Sequence, residues 1–211
     1  MIREIKKIET YESPPKVIKN LFDKSEIQKF LNLYEKLPTT VFNKKQNVVK
    51  KRWLQGYDID LEEKFYQRIQ KEIGEFKLDN LKTDDGNEIF GLIQESYAPI
   101  GLHVDSGFDL NTQIFKQILI PLTPVGSTII FKNRYYKTST NFTIDPEELK
   151  LENLKYGQNK RSSEHLNLYD QKPFDKKIHK EYLSHEKIEN LSGLEIELIY
   201  EWELGSILIF D

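Results

Sequence analysis

The chain has 211 residues, enough for one domain with a sizeable core, and its 31 Lys and Arg against 34 Asp and Glu leave a formal net charge of −3. That balance excludes a global field drawing the chain to nucleic acid or to an anionic membrane. With no cysteine there is no disulfide framework, thiolate metal site or cysteine nucleophile, and the charged start and lack of a long apolar run point to a cytoplasmic protein without a membrane segment.

Taken in chain order, a short alternating segment over residues 2–11 is followed by Pro14-Pro15, which forces extended backbone. A helix is expected next. Asp23 or Ser25 caps it, Gln28 sits three residues after Ser25 as partner in a capping box, and Ile27, Phe30, Leu31 and Tyr34 recur at helical spacing until Pro38. Residues 39–57 carry Lys44, Lys45, Lys50, Lys51 and Arg52 with Val48, Val49 and Trp53 between them. This pattern suits a solvated hairpin better than a phosphate-binding surface. A second amphipathic helix is predicted from a cap at Asp58 or Asp60, with Leu61, Phe65, Ile69 and Ile73 every fourth residue up to Gly74.

From residue 88 the pattern changes to short β-rich runs over 89–97, 102–105, 114–122, 127–131, 194–203 and 206–210, separated by Gly, Pro, Asn and Asp. Runs of that kind predict an antiparallel sandwich or jelly roll rather than βαβ units. The chain therefore reads as a single domain over 1–211, mainly β with flanking α-helices. Residues 1–80 form a helical buttress, the strands occupy 88–211, and a polar insertion fills about 132–192. Within the insertion Asp145-Pro146-Glu147-Glu148 starts a helical turn and residues 159–163 read as loop, so the tract is either a substrate lid or a surface loop.

The chemistry-bearing motif is His103-Val104-Asp105, which follows a strand ending near Tyr97 and a turn containing Pro99 and Gly101. In a strand, side chains two apart project from one face, so His103 and Asp105 are placed to grip one ion. An imidazole and a carboxylate supply two of the three ligands of a 2-His-1-carboxylate triad, which leaves positions open on ferrous iron. The competing reading of His103 is a hydrogen-bonded core histidine.

Tyr97 and its turn, the His-x-Asp pair, the strand around residues 116–122, the segment 126–131 and the final stretch Trp202 to Asp211 together resemble, in that order, the 2-oxoglutarate/Fe(II)-dependent dioxygenases. The closest resemblance is to the branch of prolyl hydroxylases and phytanoyl-CoA hydroxylase-like enzymes, and it spans residues 88–211. It implies a double-stranded β-helix, or jelly roll, whose C-terminal strands would lie beyond Asp211, together with Fe(II) bound by His103 and Asp105 and 2-oxoglutarate as co-substrate. It further implies that Tyr97 either hydrogen-bonds the co-substrate or simply packs, and that Gln117 and Thr128, by strand register, line the same cavity. A one-residue slip in register would turn both of them outward.

In the resembled family the second His and the basic residue that clamps the co-substrate lie after the segment matching Gly205 to Asp211, so the chain is expected to continue, and a form stopped there is expected to have an open sheet edge through which it could self-associate. His185, His179 and the weaker His165 are the substitutes for the missing ligand, each otherwise a surface histidine. The substrate is not specified: a small molecule, a peptide or a nucleotide would fit. The alternative function is a non-catalytic jelly-roll binding module with an incomplete metal site. Gly-rich phosphate loops, Gly-x-Ser-x-Gly, His-Glu-x-x-His and RNA-binding aromatic signatures are absent.

Overall fold

The computed structural model describes residues 13–38, 41–42, 49–53, 56–76, 81–82, 88–89, 91–97, 99–103, 116–133, 170 and 172–211. Helices and antiparallel strands share these residues, so the chain is mixed α and β. The first strand, β1 (Lys16–Ile18), follows directly from the extended backbone that the two prolines impose.

Helix α1 (Lys24–Lys36) starts at Asp23, whose carboxylate accepts from the Ser25 and Glu26 N–H groups at 2.7 and 2.9 Å. Glu26 closes the capping box by accepting from the Asp23 N–H at 2.9 Å. Gln28 is not the partner expected from the sequence; with the cap two residues earlier it lies on the surface and donates to Asn32 at 2.9 Å. Helix α2 (Ile59–Ile73) is capped by Asp58, which accepts from Leu61 N–H at 3.0 Å, and ends at Gly74 with φ 82°.

Ile27, Phe30 and Leu33 of α1 meet Leu61 and Ile69 of α2, with Phe22 and Phe65 in an aromatic cluster whose ring centroids are 5.8 to 6.2 Å apart. Arg68 crosses between the helices. Its guanidinium forks onto Glu26 at 2.5 and 2.6 Å, donates to the Leu21 carbonyl at 2.6 Å and stacks over the Phe22 ring at 5.2 Å.

Against this helical layer lies a three-stranded antiparallel sheet in the order β1, β10 (Ile207–Phe210), β7 (Gln117–Leu119). Ile207 and Ile209 face the helices with Ile118, Ile120 and Ile18. Leu208, by alternation, faces the other way, yet Ile207 and Leu208 are both 0% exposed. A strand covered on both faces needs apolar side chains at every position, which is why residues 207–210 are an unbroken apolar run. The open edge expected on this strand is not found: β10 is central, with Leu208 opposite Val17 on one side and Leu119 on the other. Local patterning did not reveal β1 as its second neighbour, because that partner lies nearly the whole chain away.

β2 (Val41–Phe42), β3 (Val49–Trp53) and β6 (Leu92–Ser96) make a second antiparallel sheet with β3 in the middle, so the basic hairpin of the sequence reading is one edge of a larger sheet. The helical buttress expected over residues 1–80 thus also contributes strands to two sheets. The expected run 89–97 is split at Gly91, φ 65°, into β5 (Glu88–Ile89), which pairs with β4 (Leu81–Lys82), and β6.

β8 (Ser127–Phe131) pairs antiparallel with β9 (Ile196–Glu201), with a register shift at Ile130/Phe131. The chain order β7, β8, β9, β10 therefore pairs first with last and second with third, a nested arrangement.

The tract read as a polar insertion is not polar throughout. Its last third forms helix α3 (Lys176–Tyr182) and a 3-10 turn (Ile188–Leu191), and Phe174, Leu183, Leu191 and Leu194 build a second core with Ile129, Phe131 and Ile196 of the β8–β9 pair. Residues 134–169 of the tract, including 145–148, 159–163 and His165, lie outside the described residues, as do residues 2–11, Lys44, Lys45 and Val48.

Gly205 ties the start of β10 to the approach to α1. Its carbonyl accepts from Phe22 N–H at 2.9 Å, its φ is 80°, and a Cβ there would lie 2.2 Å from the Phe22 carbonyl oxygen. Gly205→Ala is expected to lower stability by roughly 1–3 kcal/mol in a urea titration.

Glu62 is buried near the start of α2 and accepts from Gly56 N–H at 2.6 Å. Burial raises its carboxyl above the ordinary value, with Asp58 adding to the shift and the Gly56 bond opposing it. A raised folded-state value means that stability is highest with Glu62 protonated and declines as pH rises through that value. Glu62→Gln is expected to stabilise the protein more at pH 7 than at pH 4, read as the difference in urea midpoints between variant and parent.

Candidate functional site

β6 carries the chain toward the His-x-Asp motif. Ile93 packs on the helical core and Glu95, two residues on, lies on the same side. The Glu95 carboxylate accepts from the phenols of both Tyr34, on α1, and Tyr97. Tyr97 is 60% exposed and its hydroxyl is on the helical side of the sheet.

After Pro99 the segment 100–103 crosses to the second core. Leu102 packs against the cluster of Phe174, Leu183, Leu191 and Leu194, and its N–H donates to Glu186 Oε1 at 2.7 Å. The His185 ring lies beside the Ile100 carbonyl. The Gly101 carbonyl lies 2.7 Å from His103 Nδ1.

That last contact sets the chemistry of His103. A carbonyl only accepts, so Nδ1 carries a proton; in the neutral imidazole Nε2 then carries the lone pair, the same division of labour found when imidazole binds a metal. His103 is on the surface, and this tautomer fits a ligand role for it. Asp105, the expected second ligand, lies outside the described residues. Among the described residues no three His, Cys, Asp or Glu side chains stand together as a metal group.

His179 and His185 are not the surface residues expected. Both are half-buried; His179 Nε2 bonds the Glu186 carbonyl oxygen at 2.9 Å, which anchors the backbone of residue 186 to α3. Burial lowers the His185 imidazole below its ordinary value, His179 adds to that, and the Ile100 carbonyl opposes it. The lowered value favours the neutral imidazole.

Glu186 is only 4% exposed, and burial pushes its carboxyl up against the opposing pull of Leu102 N–H, the nearby Asn190 side chain and His103. Its Oε2 atom is buried without a hydrogen-bond partner of ordinary geometry. Sequence reasoning passed over Glu186 because one Glu in a charged tract looks like any other. The available signal was the apolar series Phe174, Leu183, Ile188, Leu191 and Leu194 around it, which marks buried surroundings.

Gln117 and Thr128 are in strands, as expected. Gln117 opens β7 opposite Phe210, and since Ile118 faces the helices, Gln117 and Leu119 face away from them. Thr128 lies opposite Tyr200 on the face of the β8–β9 pair turned from the α3 core, which Ile129 and Phe131 contact. Its Oγ1 accepts from Trp202 Nε1 at 2.9 Å. The structure thus separates Tyr97, tied to Glu95 on the helical side, from Gln117, which points to the opposite side of its own sheet.

The Trp202 ring sits over Gly126, where a Cβ would approach it to 2.6 Å, and Trp202 N–H donates to the Gly126 carbonyl at 3.0 Å. Thr128→Val would remove the acceptor for the indole while preserving shape, and is expected to cost about 1 kcal/mol in chemical denaturation. No family model, curated protein or solved structure matches this chain.

Proposed function

We propose that the protein is an Fe(II)- and 2-oxoglutarate-dependent oxygenase, a hydroxylase built on a jelly roll, with His103 and Asp105 as metal ligands. The observation that carries this reading is the Nδ1 bond of His103 to Gly101, because it presents Nε2 as a donor immediately after a strand and turn. The nested pairing of β7 with β10 around β8 with β9 supports the architecture, since a jelly roll is a long hairpin folded so that its outer and inner pairs enter different sheets.

When bound, iron and 2-oxoglutarate supply the oxidising chemistry, with O₂ as oxidant and succinate and CO₂ as co-products. The chain's part is to hold and orient. His103 would contribute a neutral imidazole nitrogen, and the bonds at Gly101 and Leu102 keep that nitrogen in place. Gln117, with its amide, and Thr128, with its hydroxyl, are polar side chains on strand faces away from the helical layers and would bond the co-substrate. Tyr97, bound to Glu95, is the less favoured contact. The substrate is a small molecule, a peptide or a nucleotide, and the protein is read as acting in the cytoplasm.

Anaerobic addition of ferrous iron and 2-oxoglutarate is expected to give a weak visible charge-transfer band, lost in His103→Ala and in Asp105→Ala. Calorimetric titration of iron alone supplies a second readout. Iron binding that is unchanged in both variants would remove the central assignment, and a chain that binds no iron would leave the reading of a non-catalytic binding module.

A further inference from the structure

Two of the three residues before His103 are tied to the second core, and both polar ties come from one dipeptide, His185-Glu186. The Glu186 carboxylate takes the Leu102 N–H at 2.7 Å and the His185 ring lies beside the Ile100 carbonyl, so the segment is flanked on either side of Gly101. Gly101 is the residue whose carbonyl selects the tautomer of His103. The dipeptide is itself braced, because His179 on α3 holds the Glu186 backbone carbonyl at 2.9 Å and Leu183 and Leu191 on either side are buried.

A carboxyl group in this position is costly. Glu186 is 4% exposed and one of its oxygens has no hydrogen-bond partner of ordinary geometry, so an apolar side chain of similar volume would fill the same space at lower cost. What such a side chain would not do is accept the Leu102 N–H. The polar group is thus explained by what it holds rather than by packing.

We propose that Glu186 is a positioning residue for His103, acting through Leu102 N–H to hold the Gly101 carbonyl against Nδ1 and so to keep Nε2 presented for a metal. The metal part of this inference rests on the ligand role given to His103 above; the positioning part rests on the geometry alone. Residues that orient a ligating histidine change metal affinity by about 10–100-fold when removed.

The test uses the full chain and two substitutions. Glu186→Met keeps the volume and removes the acceptor, whereas Glu186→Gln keeps an acceptor oxygen and removes the charge. In metal-free protein, long-range ¹H–¹⁵N correlation of the His103 ring is expected to show one Nδ1–H tautomer in the parent and in Glu186→Gln, and a mixture in Glu186→Met. Titration with Co(II) as a spectroscopic probe is expected to show affinity about 10–100-fold weaker in Glu186→Met and within about threefold of the parent in Glu186→Gln.

A folded Glu186→Met variant, judged by far-ultraviolet circular dichroism, that retains the single tautomer overturns the proposal. So does a folded Glu186→Gln variant that loses it, and this second arm decides the question even if the Met variant does not fold. If the parent binds no Co(II) while Glu186→Met still scrambles the tautomer, positioning stands and the oxygenase reading falls. If the parent binds Co(II) and both variants match it in affinity and tautomer, the oxygenase reading survives and positioning falls.

Discussion

The structure depends on one strand being buried on both faces. β10 has no exposed residue among Ile207, Leu208 and Ile209, and it is paired along both edges. One face is sealed by α1 and α2, whose own mutual packing is fixed by the Arg68–Glu26 fork and the Phe22, Phe30 and Phe65 rings. Backbone that is buried in this way must have its N–H and C=O groups satisfied within the ladder, so β1 and β7 are required neighbours. Gly205 then fastens the start of the strand to Phe22, where no side chain fits.

Just before β10 the chain turns through Glu203 to Ser206. Ser206 is fully buried, its hydroxyl donating to the Glu203 carbonyl at 2.5 Å and shared with the Tyr200 phenol from β9. Lys19, following β1, pairs with Glu203 at 2.8 Å on the exposed side. At the far end of the strand Lys116 and Ser13 converge on the Asp211 carboxylate, with both Lys116 and Asp211 side chains largely buried. A buried pair of this kind contributes register more than net stability, since desolvation offsets most of its attraction. The ends of β1, β7 and β10 are thereby pinned together.

The candidate site grows from the junction of the two cores. β6 leaves the helical core on the strength of Ile93, and Leu102 enters the second core nine residues later. The intervening turn has to be held from outside, because Pro99 has no N–H to give and residues 99–102 lie in no strand. Glu186 supplies the partner at Leu102, with His185 beside Ile100. The site is thus held by α3 and the turn after it, from the tract whose composition looked least structural.

Much of the fold was legible locally. Asp23 and Asp58 mark helix starts because a short carboxylate can reach the first free N–H groups, and the four-residue spacing of Leu61, Phe65, Ile69 and Ile73 marks the face that α2 presents to the core. The apolar run 207–210 and the β8 segment were recognisable from composition alone. His103 was recognisable as an imidazole following a strand and a turn. What only the tertiary structure decided was which distant groups meet. The pairing of β1 with β10, the nesting of β8–β9 inside β7–β10, the turning of Tyr97 toward Glu95 and the closing of Glu186 on Leu102 join residues separated by up to 190 or so positions, and nothing in the local pattern of either partner encodes the other. Local propensity depends on neighbours along the chain, whereas a buried carboxylate acquires its role only from the backbone that another element delivers to it.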